Sequence, residues 1–299
     1  MRASVVLNAI RHAGLPYREE ISLKPYSTFR IGGVAALALF PRSAEELCNG
    51  IRLLRQTDTD FEIIGNGSNV LFGDGRIEKV LIFTKGLDSL TVQENRLVAF
   101  AGVSLASLAG CAAEASLTGL EFARGIPGTV GGAIFMNAGA YGGSISDVLT
   151  QSAALDTETG EILTLREHDF DYRSSIYMRE KRLICLGGTF SLRSGDRACI
   201  FEKMKELAIA RREKQPLELP NGGSYFKRPE GYFAGKLIED CGLKGMRIGG
   251  AAVSEKHAGF LVNLGGASAE DVLCLEELVR REVLDRFGVS LEREVRLIR

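Results

Sequence analysis

The sequence predicts an α+β fold, in which short strands and helices alternate without a repeating unit. Residues 34–40 form an apolar run typical of a buried strand, and residues 43–56 follow as an amphipathic helix capped by Ser43. Residues 61–72 read as a strand, a turn and a second strand. From about residue 80 to 205 strand patterns predominate, so we expect a mixed α/β subdomain followed by a strand-rich one.

The strand-rich segment contains several short runs of apolar and β-branched residues, each of a length typical of strands. The runs are KVLIF (79–83), RLVAFAG (96–102), QSAALDT (151–157), EILTL (161–165) and RLICLGGTFSL (182–192). Residues 104–117 interrupt them with alanine and leucine at helical spacing. Residues 201–215 predict a charged linking helix, and Pro216 and Pro220 mark the break where we expect a domain boundary.

The C-terminal segment predicts two further helices, at residues 234–242 and 268–288. The second has signals at both ends: Ser268 at the cap, Asp271 at the third helical position and Gly288 just beyond the end. Its apolar residues recur three and four positions apart, so one face should be buried.

Composition excludes several classes of protein. A formal net charge of -1 and the absence of tryptophan argue against a nucleic-acid partner. Apolar residues make up 45% and charged residues 25%, as in soluble globular proteins. Arg2 precedes a short apolar run, residues 3–10, but no small-residue cleavage site follows. We therefore expect a helix there, and neither a signal peptide nor membrane insertion.

The cysteines lie far apart and form no CxxC pair, which fits neither a zinc site nor a dense disulfide framework. We therefore expect no metal site, and reduced, mostly buried thiols in a cytoplasmic protein. The six cysteines are Cys48, Cys111, Cys185, Cys199, Cys241 and Cys274.

The segment 125–143, GIPGTVGGAIFMNAGAYGG, carries the strongest functional signal. Its glycine content predicts neither a packed helix nor a strand, whereas glycine lets backbone amides approach and face a phosphate. The uncharged run is long enough to resemble a membrane span, but Pro127, Asn137 and the glycines argue against one. The alternatives are an elaborate surface loop and a pyrophosphate cradle, of which we favour the cradle.

Two familiar phosphate-binding motifs are incomplete in this sequence. Residues 65–70, GNGSNV, begin like GxGxxG but place Val70 where the third glycine belongs. Residues 231–237, GYFAGKL, are one residue short of a P-loop and have Leu237 in place of the magnesium-binding hydroxyl. A Rossmann dinucleotide site and a nucleoside triphosphatase are therefore disfavoured.

Two glycine-rich turns remain, and each lies beside predicted strands. Each turn alone could be a tight surface turn, but together they favour a long cofactor such as FAD, whose pyrophosphate needs several amides. Side chains of Ser68, Asn69 and Asn137 would add donors. The predicted cofactor-binding residues are Gly65, Asn66, Gly67, Ser68, Asn69, Gly125, Ile126, Pro127, Gly128, Thr129, Gly131, Gly132, Asn137 and Gly139.

The C-terminal segment holds polar residues with no decisive pattern of their own. Ser224, in NGGSYFK, is typical of a turn serine, and no GxSxG motif or nearby histidine suggests a hydrolase triad. His257 is typical of a structural histidine. Glu292 and Glu294 lie two apart in a predicted strand, so they should share a face, which in isolation would be solvated.

The motifs together carry a resemblance that changes this assessment. They are STFRIGG, IIGNGSNVLF, GLEFARGIPGTVGGAIFMNAGAYGG, DYRSSIY, GGSYFKRPEG, AGKLIEDCGLKG, VSEKHAGFLVN and LEREVRLI, in this order from about Tyr26 to Ile298. Because these motifs occur in this order over nearly the whole chain, the sequence resembles the UDP-N-acetylenolpyruvoylglucosamine reductases of bacterial peptidoglycan synthesis. The short interval between Arg173 and Ser224 is similar to that of the shorter subclass, which lacks an inserted loop over the substrate.

The resemblance implies a two-subdomain FAD-binding fold of the vanillyl-alcohol-oxidase type, followed by a C-terminal α/β substrate domain. We predict FAD-binding subdomain 1 at residues 1–84, FAD-binding subdomain 2 at residues 85–205 and the substrate-binding domain at residues 206–299. The last boundary agrees with the break near Pro216.

The resemblance also implies the chemistry. NADPH would reduce FAD by hydride transfer, and the reduced flavin would pass a hydride on to C3 of the enolpyruvyl group. Arg173, Ser224 and Glu294 match the family's catalytic positions. Ser224 would donate the proton to C2, and Arg173 would hold the substrate carboxylate while its negative charge grows. Glu294 would hold the assembly or assist protonation, and the sequence does not separate these roles.

The substrate-binding residues implied by the same motifs are Tyr225, Lys227, Lys236, Lys244 and His257, the lysines suiting a diphosphate. NGG before Ser224 and KRP after Phe226 depart from the family pattern, and Ala252 stands where glutamine is common. We expect the partners to be a UDP-sugar and NADPH, with no nucleic acid, in a cytoplasmic monomer. The alternatives are an oxidase of the same cofactor fold, which histidine-free FAD loops disfavour, and a silent nucleotide-sugar sensor.

Overall fold

The computed structural model describes residues 2–299, and the chain divides into two compact units. The first unit comprises residues up to 19, 37–66 and 79–210. The second comprises residues 20–36, 67–78 and 211–299. Each unit is assembled from segments that are distant in the sequence. The predicted division into three consecutive domains stays a prediction.

The first layer of the first unit is the predicted β-α-β element. Ala38 and Leu39 pair in parallel with residues 81–82, and Phe61–Ile64 pair in parallel with Val80–Phe83. The intervening helix Ala44–Gln56 begins where predicted, since the Ser43 side chain accepts a hydrogen bond from the Glu46 amide. Its buried face packs against the strands through Leu47, Ile51 and Leu54, together with residues of the N-terminal helix Arg2–His12.

The second layer of the first unit is an antiparallel sheet of five strands. The sequence predicts four of them within two residues, and the fifth, Leu90–Gln93, is not predicted. In spatial order its strands are Ile162–Leu165, Leu149–Asp156, Leu183–Ser191, Arg96–Phe100 and Leu90–Gln93. The predicted helix is confirmed as Leu105–Glu114, with Ser104 as its cap. It contributes Leu105, Leu108, Ala109, Ala112 and Ala113 to a core shared with this sheet.

The glycine-rich segment contains a short helix, so the prediction that it forms neither helix nor strand is wrong. Residues Val130–Met136 are helical, and the pairs Gly139–Ala140 and Gly143–Ser144 form a small antiparallel hairpin. The Thr129 side chain caps the helix by accepting from the Gly132 amide. The helix persists despite its glycines because Val130, Ala133 and Ile134 are buried in the core.

In the second unit, the predicted helices are confirmed as Ala234–Asp240 and Ala269–Phe287. The longer helix begins with a complete capping box between Ser268 and Asp271, and Gly288 ends it with φ +67°. Strands Arg247–Ile248, Ala251–Val253 and Leu261–Asn263 form an antiparallel sheet. Val70–Phe72 pairs in parallel with Arg296–Ile298, and Val34–Ala35 with Arg76–Ile77.

The linking helix is Arg197–Lys214, four residues longer at its start than predicted. Asp196 explains the earlier start, because its carboxylate accepts from the Cys199 amide and its carbonyl from the Ile200 amide. Further elements are strands Tyr17–Ser22, Leu117–Thr118 and Arg193–Ser194 and helix Ile176–Arg179. Short 3₁₀ helices lie at Lys24–Tyr26, Thr84–Gly86, Glu121–Gly125 and Ile145–Asp147.

Three features of the described chain bear on its class. None of the helices in residues 2–299 combines the length and apolar content that crossing a membrane requires. No group of histidine, cysteine, aspartate or glutamate in the same residues is arranged to hold a metal ion. All six cysteines are free, but Cys199 and Cys274 are exposed and the others only partly buried, so the thiols are less buried than predicted.

We predict that Ser268→Ala lowers the free energy of unfolding by about 1 kcal/mol, because it removes the side-chain acceptor of the Asp271 amide. Urea denaturation measures this difference. Ser194→Ala, an exposed serine outside any helix, is the control and should change stability by less than about 0.5 kcal/mol. Equal stabilities of the two variants would contradict the assigned cap.

Candidate active site

The two glycine-rich turns come together within the first unit. The Asn66 side chain donates a hydrogen bond to the Pro127 carbonyl at 2.6 Å. A Cβ atom on Gly65 would lie 2.3 Å from Oγ1 of Thr129, so only glycine fits at this position. The sequence predicted that both turns serve one cofactor, and the structure places residues 65–66 directly beside residues 127–129.

The chemistry of this cradle fits FAD. Residues 125–143 carry no charged side chain, so nothing in the segment repels a pyrophosphate. Gly125, Pro127 and Gly132 are exposed, while Thr129 is buried and capped onto the following helix. Backbone amides and the Asn66 carboxamide are donor groups of the kind that hold phosphate.

Gly131 has a packing role that the sequence did not indicate. A Cβ atom there would lie 2.8 Å from Cβ of Ala101, and its amide donates to the Ala101 carbonyl at 2.9 Å. Glycine at this position therefore lets the short helix approach the strand-rich core, whatever the helix binds.

The remainder of the first turn belongs to the second unit. Gly67 has φ +64°, and a Cβ atom on it would overlap the Tyr26 carbonyl oxygen at 1.9 Å. The Asn69 side chain donates to the Glu294 carbonyl at 3.2 Å, and the Asn69 carbonyl accepts from Arg296 at 3.0 Å. A predicted cofactor residue is thus bonded directly to the backbone of a predicted catalytic residue.

Asn137 ends the short helix in the left-handed conformation, with φ +44°. Its Oδ1 accepts from the Ser146 amide at 3.0 Å, and its Nδ2 donates to the Asp171 carbonyl at 3.1 Å. The side chain is only 9% exposed, so both ends of the carboxamide bond the protein itself. Its predicted role as a donor to the cofactor stays a prediction.

Arg173 lies in a tight turn of the first unit, in which Asp171 and Ser174 exchange two backbone hydrogen bonds of 3.2 Å. Its φ of +54° is unusual for a residue with a side chain. The guanidinium donates to the Gly139 carbonyl at 3.1 Å and to the Asn137 carbonyl at 3.5 Å. The turn therefore aims Arg173 at the end of the glycine-rich segment.

Ser224 and Glu294 lie on two neighbouring segments of the second unit. Phe226 and Arg293 form an antiparallel bridge, flanked by a 2.8 Å hydrogen bond from the Glu294 amide to the Tyr225 carbonyl. Ser224 is exposed, whereas Glu294 is partly buried. The structure thus brings together two of the three predicted catalytic residues, at backbone positions next to each other.

A polar cluster of Tyr225, Glu276 and Arg293 adjoins both residues, and most of it is not predicted from the sequence. The Tyr225 hydroxyl donates to Glu276 at 2.8 Å, and Nη1 of Arg293 lies 3.5 Å from the same carboxylate. Tyr225 is fully buried, so its side chain has a structural position, although the sequence predicts it as a substrate contact. Burial, followed by the negative Glu276, raises the pKa of Tyr225 well above its usual range.

The sequence does contain a signal for Glu276. On the helix Ala269–Phe287 the buried residues Val272, Leu275, Val279 and Val283 form one face, and Glu276 lies within it. A carboxylate inside an apolar stripe requires a buried partner, which Arg293 and Tyr225 supply.

The three predicted substrate lysines each pair with a carboxylate. Lys227 pairs with Glu292, Lys236 with Asp240, and Lys244 with Glu239 at 2.7 Å. The acceptor carboxylates are at least 37% exposed, and such pairs contribute little to stability. An incoming diphosphate could therefore compete for these lysines at small cost.

His257 is held in one orientation. Its Nδ1 accepts from the Gly259 amide at 3.1 Å, which leaves the neutral ring its proton on Nε2. The ring also packs closely on Gly235 and contacts Phe260 edge-on. Burial lowers the pKa of His257.

Comparison with known proteins identifies the family. The chain is 50% identical over 279 residues to UDP-N-acetylenolpyruvoylglucosamine reductase of Shouchella clausii, covering 93% of this chain and 89% of the relative. The chain belongs to the UDP-N-acetylenolpyruvoylglucosamine reductase family. The same enzyme of Caldanaerobacter subterraneus is 47% identical, with 98% of this chain and 96% of the relative covered.

Family models and a solved structure extend this assignment. A model described as the UDP-N-acetylenolpyruvoylglucosamine reductase C-terminal domain matches residues 215–298, and a model described as an FAD binding domain matches residues 35–166. The crystal structure of the Thermus caldophilus UDP-N-acetylenolpyruvylglucosamine reductase is similar, with a TM-score of 0.79 and 35% identity. The match covers 95% of this chain and all of the Thermus chain.

The predicted family and fold class are thereby confirmed. All predicted cofactor residues fall within the FAD-binding match, and Ser224, Glu294 and all predicted substrate residues fall within the reductase C-terminal match. Arg173 lies outside both matches. The roles of the individual residues stay predictions.

We predict that Glu276→Ala lowers the free energy of unfolding by about 3 kcal/mol, because it leaves Arg293 charged and without its buried counter-ion. Glu277→Ala, which removes an exposed carboxylate from the same helix, is the matched control and should cost less than about 0.5 kcal/mol. Urea denaturation of both variants measures the difference. A similar small loss in both would show that the buried pair contributes nothing.

We also predict that the protein loses stability as the pH falls below about 6.5, the usual pKa of an unfolded histidine. The folded pKa of His257 is lowered, so the unfolded chain binds the proton first and protonation favours unfolding. Melting temperatures of the wild type and His257→Gln, measured from pH 8 to 5.5, test this. The variant should lose less on acidification, and identical slopes below pH 6.5 would refute the assignment.

Proposed function

We propose that this chain reduces UDP-N-acetylglucosamine enolpyruvate to UDP-N-acetylmuramate, with FAD as cofactor and NADPH as electron donor, in the synthesis of peptidoglycan precursors. The observation that carries the proposal is the 50% identity to an enzyme of this name across 93% of the chain. The cradle at residues 65–66 and 125–132 and the segments of Ser224 and Glu294 supply groups of the chemistry that the reaction needs.

When bound, FAD supplies hydride transfer between NADPH and the enolpyruvyl double bond. The residues that would hold its pyrophosphate are those of segment 125–132 and Asn66, none of which carries a charge.

Arg173 would bind the carboxylate of the enolpyruvyl group. Addition of hydride at C3 leaves negative charge at C2 and on the adjoining carboxylate, and a guanidinium remains cationic throughout. The left-handed turn and the carbonyls of Asn137 and Gly139 hold this guanidinium in one orientation before substrate arrives. A preoriented donor of this kind costs no reorganisation when charge develops.

Ser224 would hold the proton that C2 receives. Its hydroxyl is exposed on a segment whose next residue is anchored in the core, so its backbone is fixed while its side chain is accessible. A hydroxyl is a weak acid, but a positioned one can protonate a strongly basic carbon. Glu294, bonded through its backbone to Tyr225 and Asn69, would orient the substrate or assist the proton transfer.

We propose further that Lys227, Lys236, Lys244 and His257 contact the UDP portion, and that the enzyme acts in the cytoplasm as a monomer. Cytoplasmic action is supported by the chemistry of its reactants, since UDP-sugars and NADPH are metabolites of that compartment.

We predict that Ser224→Ala reduces flavin reoxidation by the enolpyruvyl substrate by roughly 10² to 10⁴-fold, the usual contribution of a proton-transfer group. Flavin reduction by NADPH should change less than about twofold, since this step involves no proton transfer to C2. Anaerobic stopped-flow absorbance measures both steps. Ser89→Ala, at an exposed serine outside the segments discussed, is the control. Equal losses in both steps would reject the role of Ser224.

The visible spectrum of the purified protein tests the function itself. Flavin absorbance that bleaches with NADPH and returns only with the enolpyruvyl substrate supports the reductase. Absorbance that returns only with oxygen would favour an oxidase, and a protein that binds the UDP-sugar without FAD would favour a sensor.

A further inference from the structure

The candidate site of the first unit contains a buried carboxamide that the reaction does not itself require. Asn137 lies between the glycine-rich segment and the turn that carries Arg173. Its Oδ1 bonds the Ser146 amide, just after the small hairpin, and its Nδ2 bonds the Asp171 carbonyl, at the start of the Arg173 turn. Its own carbonyl accepts from the Arg173 guanidinium.

The backbone of Asn137 is as constrained as its side chain. Its φ of +44° ends the helix Val130–Met136, and its amide donates to the Ile134 carbonyl. Asn137 is only 9% exposed, and loss of its carboxamide would remove the side-chain partner of both the Ser146 amide and the Asp171 carbonyl. One residue therefore fixes the helix end, the hairpin and the Arg173 turn together.

The Arg173 turn needs such a fixed support, since φ at Arg173 is +54°. A left-handed conformation costs a residue with a side chain roughly 1 kcal/mol or more, so surrounding contacts must maintain it. Ser175 supplies a second contact by donating to the Phe135 carbonyl at 2.8 Å. The Asn137 carboxamide is a further side-chain contact between this turn and the cofactor segment, and it reaches the turn at Asp171, on the other side of Arg173 from Ser175.

We propose that Asn137 is a positioning residue for Arg173, which couples the glycine-rich cofactor segment to the guanidinium that binds the substrate carboxylate. Asn137 acts through Arg173 and touches neither FAD nor substrate. This inference rests on the proposed function, because it requires Arg173 to recognise a carboxylate. It assigns the Asn137 side chain to the protein rather than to the cofactor.

Binding of two ligands tests this without turnover. UDP-N-acetylmuramate has the carboxylate and UDP-N-acetylglucosamine lacks it, so the ratio of their affinities, measured by calorimetry, reports the carboxylate contact. We expect Asn137→Gly, which tolerates the positive φ but lacks the carboxamide, to reduce this ratio roughly tenfold, since one charge-assisted hydrogen bond contributes about that much. The affinity for UDP-N-acetylglucosamine and the content of bound FAD should stay within about twofold of wild type, because neither the binding of UDP-N-acetylglucosamine nor the binding of FAD depends on Arg173 in this proposal.

Asn137→Asp is the second variant, which keeps the acceptor for Ser146 but loses the donor to Asp171. It should lower the same ratio, and it keeps the test available if the glycine variant fails to fold. Asn263→Ala is the matched control: Asn263 is also buried, donates to Phe29 and accepts from Gly265 and Ala267, but lies in the second unit. It should lower the melting temperature without changing the ratio.

A double-mutant cycle separates positioning from a general structural effect. In an Arg173→Ala background, Asn137→Gly should change the ratio by less than about twofold, because the group through which Asn137 acts is absent. Additive losses, or equal losses for both ligands, would overturn the proposal. Loss of bound FAD with an unchanged ratio of the two affinities would also overturn the proposal, and it would indicate that Asn137 binds the cofactor. A wild type that does not favour the carboxylate ligand would instead reject the proposed function of Arg173.

Discussion

Close packing of neighbouring residues against glycine backbone is the constraint on which the candidate cofactor site depends. In the first unit, Gly65 lies against Thr129 and Gly131 against Ala101, at distances that a single methyl group would make impossible. These contacts bring the two glycine-rich turns together and hold the short helix Val130–Met136 against the strand-rich core, with little side-chain volume between them.

In the second unit, a buried carboxylate fixes the backbone beside the exposed Ser224. Glu276 accepts a hydrogen bond from Tyr225 and pairs with Arg293. Tyr225 follows Ser224 in the sequence, and Arg293 precedes Glu294. Breaking such a cluster is costly because the remaining buried or partly buried group would lose its partner. The exposed lysine pairs nearby have the opposite property, since solvent screens them and their partners can be exchanged.

Local signals in the sequence predicted most of the fold. The helix Ala269–Phe287 begins and ends at the predicted residues because its capping box and Gly288 are local features. The helix Val130–Met136 was missed because its glycines oppose helix formation and only burial in the core offsets them. The candidate catalytic residues came from the resemblance to a family, whereas Asn137 and Glu276 acquire their meaning from partners distant in sequence, which no local pattern specifies.

The parallel pairing of Val70–Phe72 with Arg296–Ile298 also bears on how the protein is made. A ribosome releases the first strand long before the second exists, and all three residues of the first strand are buried in the finished protein. The second unit, which also includes residues 20–36, therefore cannot close until residues 296–298 have been synthesised. During that interval the apolar edge of the first strand is unpaired and open to other chains, which is a hazard for aggregation of the nascent molecule.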